Sequence, residues 1–245
     1  MRQRTILDPL PSARARPAHP ARGRQKAATA GTDAKRERIL KAAERLFHRQ
    51  GYADTTLAQI ARDLGVTKPF LYYYFHNKQE LFEVLSWRPT VACFTALDFP
   101  PDDARPAHVK LAAGLERLIR ATIEYHPSAF FAYRDPQAFR PEYAAAQKRI
   151  AHHFYDRMCA LMEQARREGR LDFNETKITA LAACSLPGFL YTWYRPDGRL
   201  VPEQVVRELT ALAWRVIGLR ELPAGPGFGP GGPDRSSNPE PMETT

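Results

Sequence analysis

Residues 55–81 read TTLAQIARDLGVTKPFLYYYFHNKQEL, and this stretch decides the fold class of the chain. Apolar side chains recur at three- and four-residue spacings on both sides of Gly65, which predicts two short helices joined by a tight turn. Thr56 and Gln59 have the spacing of a capping box, so we expect the first helix to begin at Thr56. Two helices joined in this way form a helix-turn-helix, whose second helix is suited to the major groove of DNA.

The second helix, predicted over residues 68–75, has one face for packing and one for solvent. At about 100° per residue, Leu71, Tyr74 and Phe75 share the inner side. The opposite side carries Lys, Pro and Tyr side chains, which suit phosphate oxygens and thymine methyl groups. The residues expected to bind DNA are Thr56, Thr67 (the cap of this helix), Lys68, Pro69, Phe70, Tyr72, Tyr73 and Lys78.

Helices are also predicted before and after this pair. The preceding helix should begin near Thr32 and end at Gln50, where Gly51 supplies the left-handed residue that commonly follows a helix. Asn77 should cap the following helix, with Glu80 closing a second capping box. The preceding helix and the pair form a three-helix unit, which together with the first turn of the following helix is expected over residues 32–81.

Positive charge is concentrated at the N-terminal end of the chain. The formal net charge is +9, and residues 1–81 carry all of it, whereas residues 82–245 sum to zero. A basic segment on a neutral remainder is typical of a separate nucleic-acid-binding module. Residues 1–31, rich in arginine and proline, are predicted to be a disordered basic tail, either fully solvated or contacting DNA beside the main site.

A set of short motifs recurs at fixed positions within residues 33–81. They are Thr56, Ile60-Ala61, Gly65-Val66-Thr67-Lys68, Leu71-Tyr72-Tyr73-Tyr74-Phe75, and the span from Lys78 to Leu81. In this respect the segment resembles the DNA-binding domain of the TetR (tetracycline-repressor) family of bacterial regulators. One departure is Pro69, where many members carry glycine, so an operator preference does not transfer by analogy.

The remainder of the chain is predicted to be helical and to form a second domain over residues 82–220. Predicted helices cover about residues 78–97, 107–125, 128–139, 141–168, 172–194 and 202–219. The expected fold class is therefore all-α, and the resemblance implies an N-terminal helix-turn-helix domain followed by a helical domain for effector binding and dimerisation. Residues 221–245, rich in glycine and proline, are predicted to be a disordered tail.

The last two predicted helices, helix 8 over residues 172–194 and helix 9 over residues 202–219, are apolar around most of their circumference. One interpretation is burial on two sides within a single chain. The other, which the resemblance favours, is a self-complementary pair that forms a homodimer through helices 8 and 9.

Aromatic and methionine side chains cluster in the middle of the chain and predict an apolar cavity for a small effector. The residues expected to bind it are Trp87, Phe94, Tyr125, Phe131, Arg134, Phe154, Met158, Phe189 and Trp193. Any one of these aromatics is more often part of an ordinary core than of a pocket.

A second, shorter resemblance concerns residues 193–205, which read WYRPDGRLVPEQV. They resemble the C-terminal signature of a TetR subgroup whose members respond to acyl-CoA thioesters. A coenzyme A ligand needs cations for its phosphates, and the candidates near the expected cavity mouth are Arg134, Arg140, Lys148 and Arg149. The alternative is that these cations simply line an exposed loop and helix face.

Other chemistry is not indicated by the sequence. It has no catalytic motif, no glycine-rich phosphate loop and no histidine pair at metal-ligand spacing, so we expect no enzyme activity, cofactor or metal. Cys93, Cys159 and Cys184 are scattered, which suggests free thiols in a reducing compartment, with redox sensing as the alternative. No apolar run reaches the roughly 20 residues of a membrane span, and no signal-peptide pattern is present.

Together these patterns predict a cytoplasmic, homodimeric repressor. It would bind a palindromic DNA operator and be released by a small apolar or acyl-CoA-like effector. One alternative is an activator, or an effector-independent regulator controlled by a protein partner. Another, of a different class, is an enzyme or carrier with a DNA-binding appendage.

Overall fold

The computed structural model describes the backbone of residues 25–220 and the side chains of residues 31–220, and this part of the chain is built from helices. The disordered tails predicted at residues 1–31 and 221–245 lie outside the described residues, except for residues 25–31, which are helical and correct that part of the prediction. The α-helices are α1 Gln25–Gln50, α2 Leu57–Leu64, α3 Lys68–Tyr74, α4 Lys78–Phe94, α5 Ala107–Glu124, α6 Phe131–Arg134, α7 Pro141–Arg167, α8 Thr176–Gly188, α9 Leu190–Trp193 and α10 Pro202–Val216. The predicted all-α class is confirmed.

The helix-turn-helix forms as its local signals predict. The Thr56 hydroxyl accepts a hydrogen bond from the Gln59 amide, and the Gln59 side chain accepts one from the Thr56 amide at 2.7 Å. Gly65 ends α2 with φ of 66°, in the left-handed region where a side chain would be strained. Both ends of α2 are therefore determined by residues that lie within it or next to it.

Three details of residues 25–81, called the head from here on, differ from expectation. Helix α1 begins at Gln25, before the expected start near Thr32, because residues 25–30 are good helix formers rich in alanine. Thr67 occupies the cap of α3 but makes no hydrogen bond with its side chain. Asn77 does cap α4, yet the Glu80 carboxylate accepts the amide of His76 at 2.6 Å, so the expected reciprocal capping box is shifted by one residue.

Helix α4 runs unbroken through Pro89 and ends at Phe94, three residues before the predicted end at residue 97. The Thr90 hydroxyl donates to the Ser86 carbonyl at 2.8 Å, one of several side-chain bonds to the backbone in this helix. Its first two turns, as far as Leu85, pack in the head and its remainder lies in the second domain, so α4 links the two.

The eighth predicted helix breaks in two. It begins at Thr176 with Glu175, not Asp172, as its cap, and it ends at Gly188 after Pro187 instead of running to Tyr194. Proline followed by glycine is a poor helix-forming sequence, and the helix breaks at this point. The amide of Asp172 is instead bonded to the carbonyl of Gly218 at 2.9 Å, beside an isolated bridge between Leu171 and Leu219.

Buried residues form two clusters. One fills the head and includes Phe47, Ile60, Leu71 and Phe82, while the other lies between α4, α5, α7, α8 and α10. The segment of residues 128–138 joins them, because its Phe131 and Ala138 belong to the head cluster and its Phe130 to the other. The two halves of the molecule therefore share a packed junction.

Candidate DNA interface and internal cavity

The outer face of α3 is the candidate DNA interface. Tyr72 is 50% exposed and Tyr73 is 74% exposed, whereas Leu71 and Phe75 are completely buried. Thr67, Lys68 and Pro69 are also exposed at the start of the helix. The predicted division of α3 into a packing face and a solvent face is therefore what the structure has, and two tyrosine hydroxyls and one ammonium are free to reach a DNA backbone.

Two other predicted DNA-binding residues have additional or different contacts. Thr56 is exposed, but its hydroxyl is already engaged in the capping box of α2. Phe70 is half-buried, packs on the head core and lies 5.2 Å from the Tyr74 ring, so most of its surface serves the fold. The sequence pattern did not separate these two roles because Phe70 lies between the packing and solvent faces.

Lys78 is turned into the protein and not toward a phosphate position. Its ammonium donates to the carbonyls of Tyr52 at 2.7 Å and Ala53 at 3.3 Å, and lies 4.1 Å from the centre of the Tyr52 ring. Burial lowers the pKa of Lys78, an effect that the nearby Asp54 and Asp135 oppose. This corrects the expectation for Lys78, because its contacts bind the turn after α1 to the start of α4.

A cavity of about 520 Å³, partly open to the surface, lies in the second domain between α4, α5, α7, α8 and the segment of residues 128–133. That volume falls within the range of about 300–1,000 Å³ usual for small-molecule sites. Most of its surface is apolar. It is lined by Ser86, Pro89, Thr90, Cys93, Phe94, Leu118, Thr122, Ser128, Ala129, Phe130, Ala132, Tyr133, Ala144, Gln147, Lys148, Ala151, Phe154, Tyr155, Cys184, Pro187 and Gly188.

Of the residues expected to bind an effector, only Phe94 and Phe154 line this cavity. Phe131 and Met158 are buried in the two cores, and Trp87 packs on Tyr143 with ring centres 5.6 Å apart. The other four do not line it either: Phe189 and Trp193 are exposed, Tyr125 is half-buried after α5, and Arg134 is exposed. Aromatic composition indicated the right region, but it did not indicate which side of each helix faces inward.

The uncharged polar residues of the cavity wall were missed by the sequence analysis. Thr90 and Ser86 are one turn apart on α4, and Gln147 donates to the Thr90 hydroxyl at 3.0 Å from α7. A recurrent hydroxyl at four-residue spacing inside an apolar helix was the available signal, since buried polar groups need partners.

The four cations expected at the cavity mouth have different positions. Arg140 forms an ion pair with the buried carboxylate of Glu83, and Arg134 donates to the His48 carbonyl at 3.2 Å. Arg149 is exposed and does not line the cavity. Only Lys148 reaches the cavity wall, so the expected cluster of phosphate-binding cations is not assembled there.

The cavity thiols are poor nucleophiles. Burial raises the pKa of Cys93 to about 11 and that of Cys184 to about 12. Both thiols therefore stay protonated near neutral pH, and the thiolate is the reactive form. The Cys184 thiol lies 3.5 Å from the Met158 sulfur, a contact typical of packing. These groups give no support to the redox-sensing alternative.

An apolar surface is exposed where α8, α9 and α10 lie at the outside of the molecule. Ile178 and Leu181 on α8 are 68% and 55% exposed, and Leu212 and Val216 on α10 are also exposed. Helices α8 and α10 pack against each other, so these side chains belong to one neighbourhood. Such a surface is unusual on a monomer and typical of a protein interface.

Two other kinds of feature are absent from the described part of the chain. Across residues 25–220 no helix has the length and hydropathy to cross a bilayer. Within the same range no three His, Cys, Asp or Glu side chains are grouped so as to hold a metal ion.

Two family models match the chain. Residues 39–85 match the model of bacterial regulatory proteins of the tetR family, and residues 104–217 match a tetracyclin repressor-like C-terminal domain. The matched families are regulators and not enzymes. The two matched segments correspond to the head and to the domain that contains the cavity.

Among individual proteins, the transcriptional regulator TtgR of Pseudomonas putida is 50% identical over 50 residues, which cover 20% of this chain and 24% of TtgR. The chain thus spans about a quarter of the length of the curated relatives it matches. The solved structure of PfmR from Thermus thermophilus aligns with a TM-score of 0.62 at 24% identity, over 73% of this chain and 97% of PfmR.

A second solved structure is that of AibR in complex with isovaleryl coenzyme A and operator DNA. It aligns with a TM-score of 0.61 at 20% identity, over 75% of this chain and 98% of AibR. At this level of identity the two structural alignments establish a common fold.

Proposed function

The chain belongs to the TetR family of bacterial regulators, and we propose that it is a homodimeric transcriptional repressor released from DNA by a small apolar effector. The observation that carries this proposal is the shared junction. Segment 128–133 lines the cavity while its Phe131 lies in the core of the DNA-binding head. In this proposal the shared segment transmits the occupancy of the cavity to the position of the head.

In this proposal residues 32–81 bind DNA and residues 82–220 bind the effector and form the dimer. The contacts with DNA come from the exposed groups of α3, chiefly Lys68, Tyr72 and Tyr73, with Thr56 and Thr67 beside them. Two-fold symmetry places two copies of α3 about 34–36 Å apart on a palindromic operator, so the spacing of the heads determines affinity.

The dimer is supported by the exposed apolar surface of α8 and α10. Covering Ile178, Leu181, Leu212 and Val216 with the same surface of a second copy removes them from water. The proposed surface agrees with the interface predicted for helices 8 and 9. Predicted helix 8 corresponds to α8 and α9, and predicted helix 9 corresponds to α10. The chain is proposed to act in the cytoplasm, where bacterial DNA lies and where the reducing conditions keep its free thiols reduced.

The effector acts by preferring one head spacing over the other. A ligand that bound both states equally would change nothing, so the cavity must fit the ligand better in the state that does not fit the operator. Helix α4 supplies five cavity residues and also carries Phe82 into the head core, so a shift of α4 is the simplest route.

An acyl-CoA-like effector is the second candidate. The AibR structure holds isovaleryl coenzyme A, and residues 193–205 resemble the acyl-CoA-responsive subgroup. Against it, Arg134 and Arg140 are engaged within the protein, and a single cation lines the cavity. We therefore favour a smaller effector with fewer charges.

The proposal is tested by non-denaturing mass spectrometry of the full chain with DNA from upstream of its own gene. The expected result is a dimer on one duplex, released by one class among apolar acids, alcohols and acyl-CoA thioesters. A dimer that holds DNA against every ligand would favour an effector-independent regulator controlled by a protein partner. Increased transcription from the same DNA on binding would favour an activator.

A further inference from the structure

The walls that α4 and α7 contribute to the cavity change in character along their length. Trp87 lies against Tyr143, Thr90 against Gln147, and Phe94 against Phe154, so α4 and α7 run in the same direction. On these two helices the hydroxyl and amide lining residues, Ser86, Thr90 and Gln147, lie at the end nearer the DNA-binding head, and Phe94 and Phe154 lie at the far end. The segment of residues 128–133 adds Phe130 and Tyr133 to the lining.

At the polar end the groups are already committed to one another. The Ser86 hydroxyl donates to the Phe82 carbonyl at 2.9 Å and the Thr90 hydroxyl donates to the Ser86 carbonyl at 2.8 Å. Gln147 uses its amide nitrogen on Thr90 at 3.0 Å. These hydroxyls therefore have no second proton to offer a ligand.

Lys148 is the one charged side chain among the residues that line the cavity. It lines the cavity beside Gln147, its side chain is exposed, and no ion-pair partner for it exists among the described residues. No aspartate or glutamate lines the cavity, so its wall carries one positive charge without a negative counterpart. An ammonium at the opening of an apolar cavity favours a ligand that brings one negative charge.

The opposite end suits an apolar body. Phe94, Leu118, Phe154 and Ala151 form its wall, and Phe94 and Phe154 meet at 5.7 Å with their rings inclined by 65°. A flexible or aromatic hydrocarbon fits such a wall without needing hydrogen bonds. The cavity of about 520 Å³ has room for one small molecule of this kind.

We propose that the effector is an amphipathic monocarboxylic acid, with its carboxylate at Lys148 toward the DNA-binding head and its apolar body between Phe94 and Phe154. This inference rests on the proposed function, because it takes the cavity as the effector site. A coenzyme A thioester is disfavoured, since its phosphates need several cations and the wall supplies one.

The test compares decanoic acid, 1-decanol, decylamine and decanoyl-CoA as probes, binding to the full chain in isothermal titration. These probes share one chain length, so differences in affinity report the head group. Decanoic acid is expected to bind most tightly, decanol about tenfold more weakly, and decylamine more weakly still. Equal affinity for the acid and the alcohol would overturn the proposal, as would tighter binding of the amine or the thioester.

The matched variants are Lys148→Met and Arg149→Met, which remove one cation each from neighbouring positions of α7. Lys148→Met should reduce affinity for decanoic acid to that for decanol and leave decanol unchanged, while Arg149→Met should change neither. A preference for the acid that survives in Lys148→Met would overturn the assignment of the charge. Both positions are exposed, so thermal unfolding is expected to be unaffected.

DNA release measured in parallel separates this inference from the proposed function. Lys148-dependent binding of decanoic acid without any release of DNA would support the ligand class and overturn the proposed mechanism. Release of DNA by decanol as readily as by the acid would support the proposed mechanism and overturn the ligand class. Absence of binding by all four probes would overturn both the ligand class and the cavity as the effector site.

Discussion

The ring of Phe131 stacks on the ring of Phe82, with centres 5.1 Å apart and planes inclined by 11°. Phe131 comes from the segment that lines the cavity, and Phe82 comes from the first part of α4 within the head core. Phe130 and Ala132, the chain neighbours of Phe131, both line the cavity. Phe131 also meets the ring of Phe47 in the head, with centres 6.1 Å apart. A displacement of this segment by a ligand would therefore reach the head through the aromatic contacts of Phe131.

Phe131→Leu tests that connection. We expect the variant to lose about 1–3 kcal/mol of unfolding free energy, because a packed ring is replaced by a smaller side chain. Ligand affinity should stay close to wild type while the change in DNA affinity caused by the ligand is reduced, as measured by fluorescence anisotropy with and without ligand. Phe139→Leu is the control, since Phe139 also contacts Phe82, at 5.1 Å, but does not line the cavity.

Tyr73→Phe tests the DNA face of α3. The Tyr73 side chain is 74% exposed, so removing its hydroxyl should leave the folded head unchanged. Loss of a hydrogen bond to a phosphate should weaken operator binding about tenfold. Tyr72→Ala should weaken it as well. Unchanged affinity in both variants, measured at a single salt concentration, would show that another face of α3 meets DNA.

Leu71→Ala tests the packing face of the same helix. Leu71 is completely buried in the head core, and the substitution should cost about 2–5 kcal/mol in unfolding free energy. Chemical denaturation followed by circular dichroism measures this loss. The contrast with Tyr73→Phe is the informative quantity, because the two residues are two positions apart on one helix and only one of them should affect stability.

Leu181→Glu tests the dimer surface. Leu181 is 55% exposed in one chain, so a charge there should not disturb the isolated fold. In the dimer it would place a carboxylate on an apolar interface without a partner, which is strongly unfavourable. We expect a monomer by sedimentation velocity at concentrations where wild type is a dimer. Ala58→Glu, at an exposed position of α2, should leave the oligomeric state unchanged.

The stability of the junction should depend on pH through His126. Burial lowers its pKa to about 4, with smaller contributions from the positive charges of His48 and Arg195. In the unfolded chain the His126 imidazole takes up a proton as the pH falls through about 6.5, whereas in the folded chain it stays neutral until about pH 4. The stabilising contribution is therefore complete above about pH 6.5 and is lost as the pH falls from 6.5 toward 4.

The measurement is the free energy of unfolding at pH 7.5 and pH 5 for wild type and His126→Phe. Wild type should lose more stability than the variant between these two pH values. A His152→Gln control, at an exposed position of α7, should follow wild type. If His126→Phe loses as much stability as wild type, another group governs the acid sensitivity.

Much of the head was determined by the sequence alone. The capping box of Thr56 and Gln59, the left-handed turn at Gly65 and the division of α3 into Leu71 and Tyr73 faces all formed as predicted. Each depends on hydrogen bonds and side-chain directions within about one helical turn. Such local interactions follow from residue type and spacing, so periodicity was sufficient to predict them.

The cavity and the junction were decided only by tertiary structure. Composition indicated an aromatic region, but it could not show that Thr90 and Gln147 line the cavity while Trp87 and Met158 do not. Nor could it show that Lys78 turns inward onto the carbonyl of Tyr52. These positions depend on the rotation of each helix about its axis and on which helices pack together. Residues far apart in the chain determine both, and no local pattern records them.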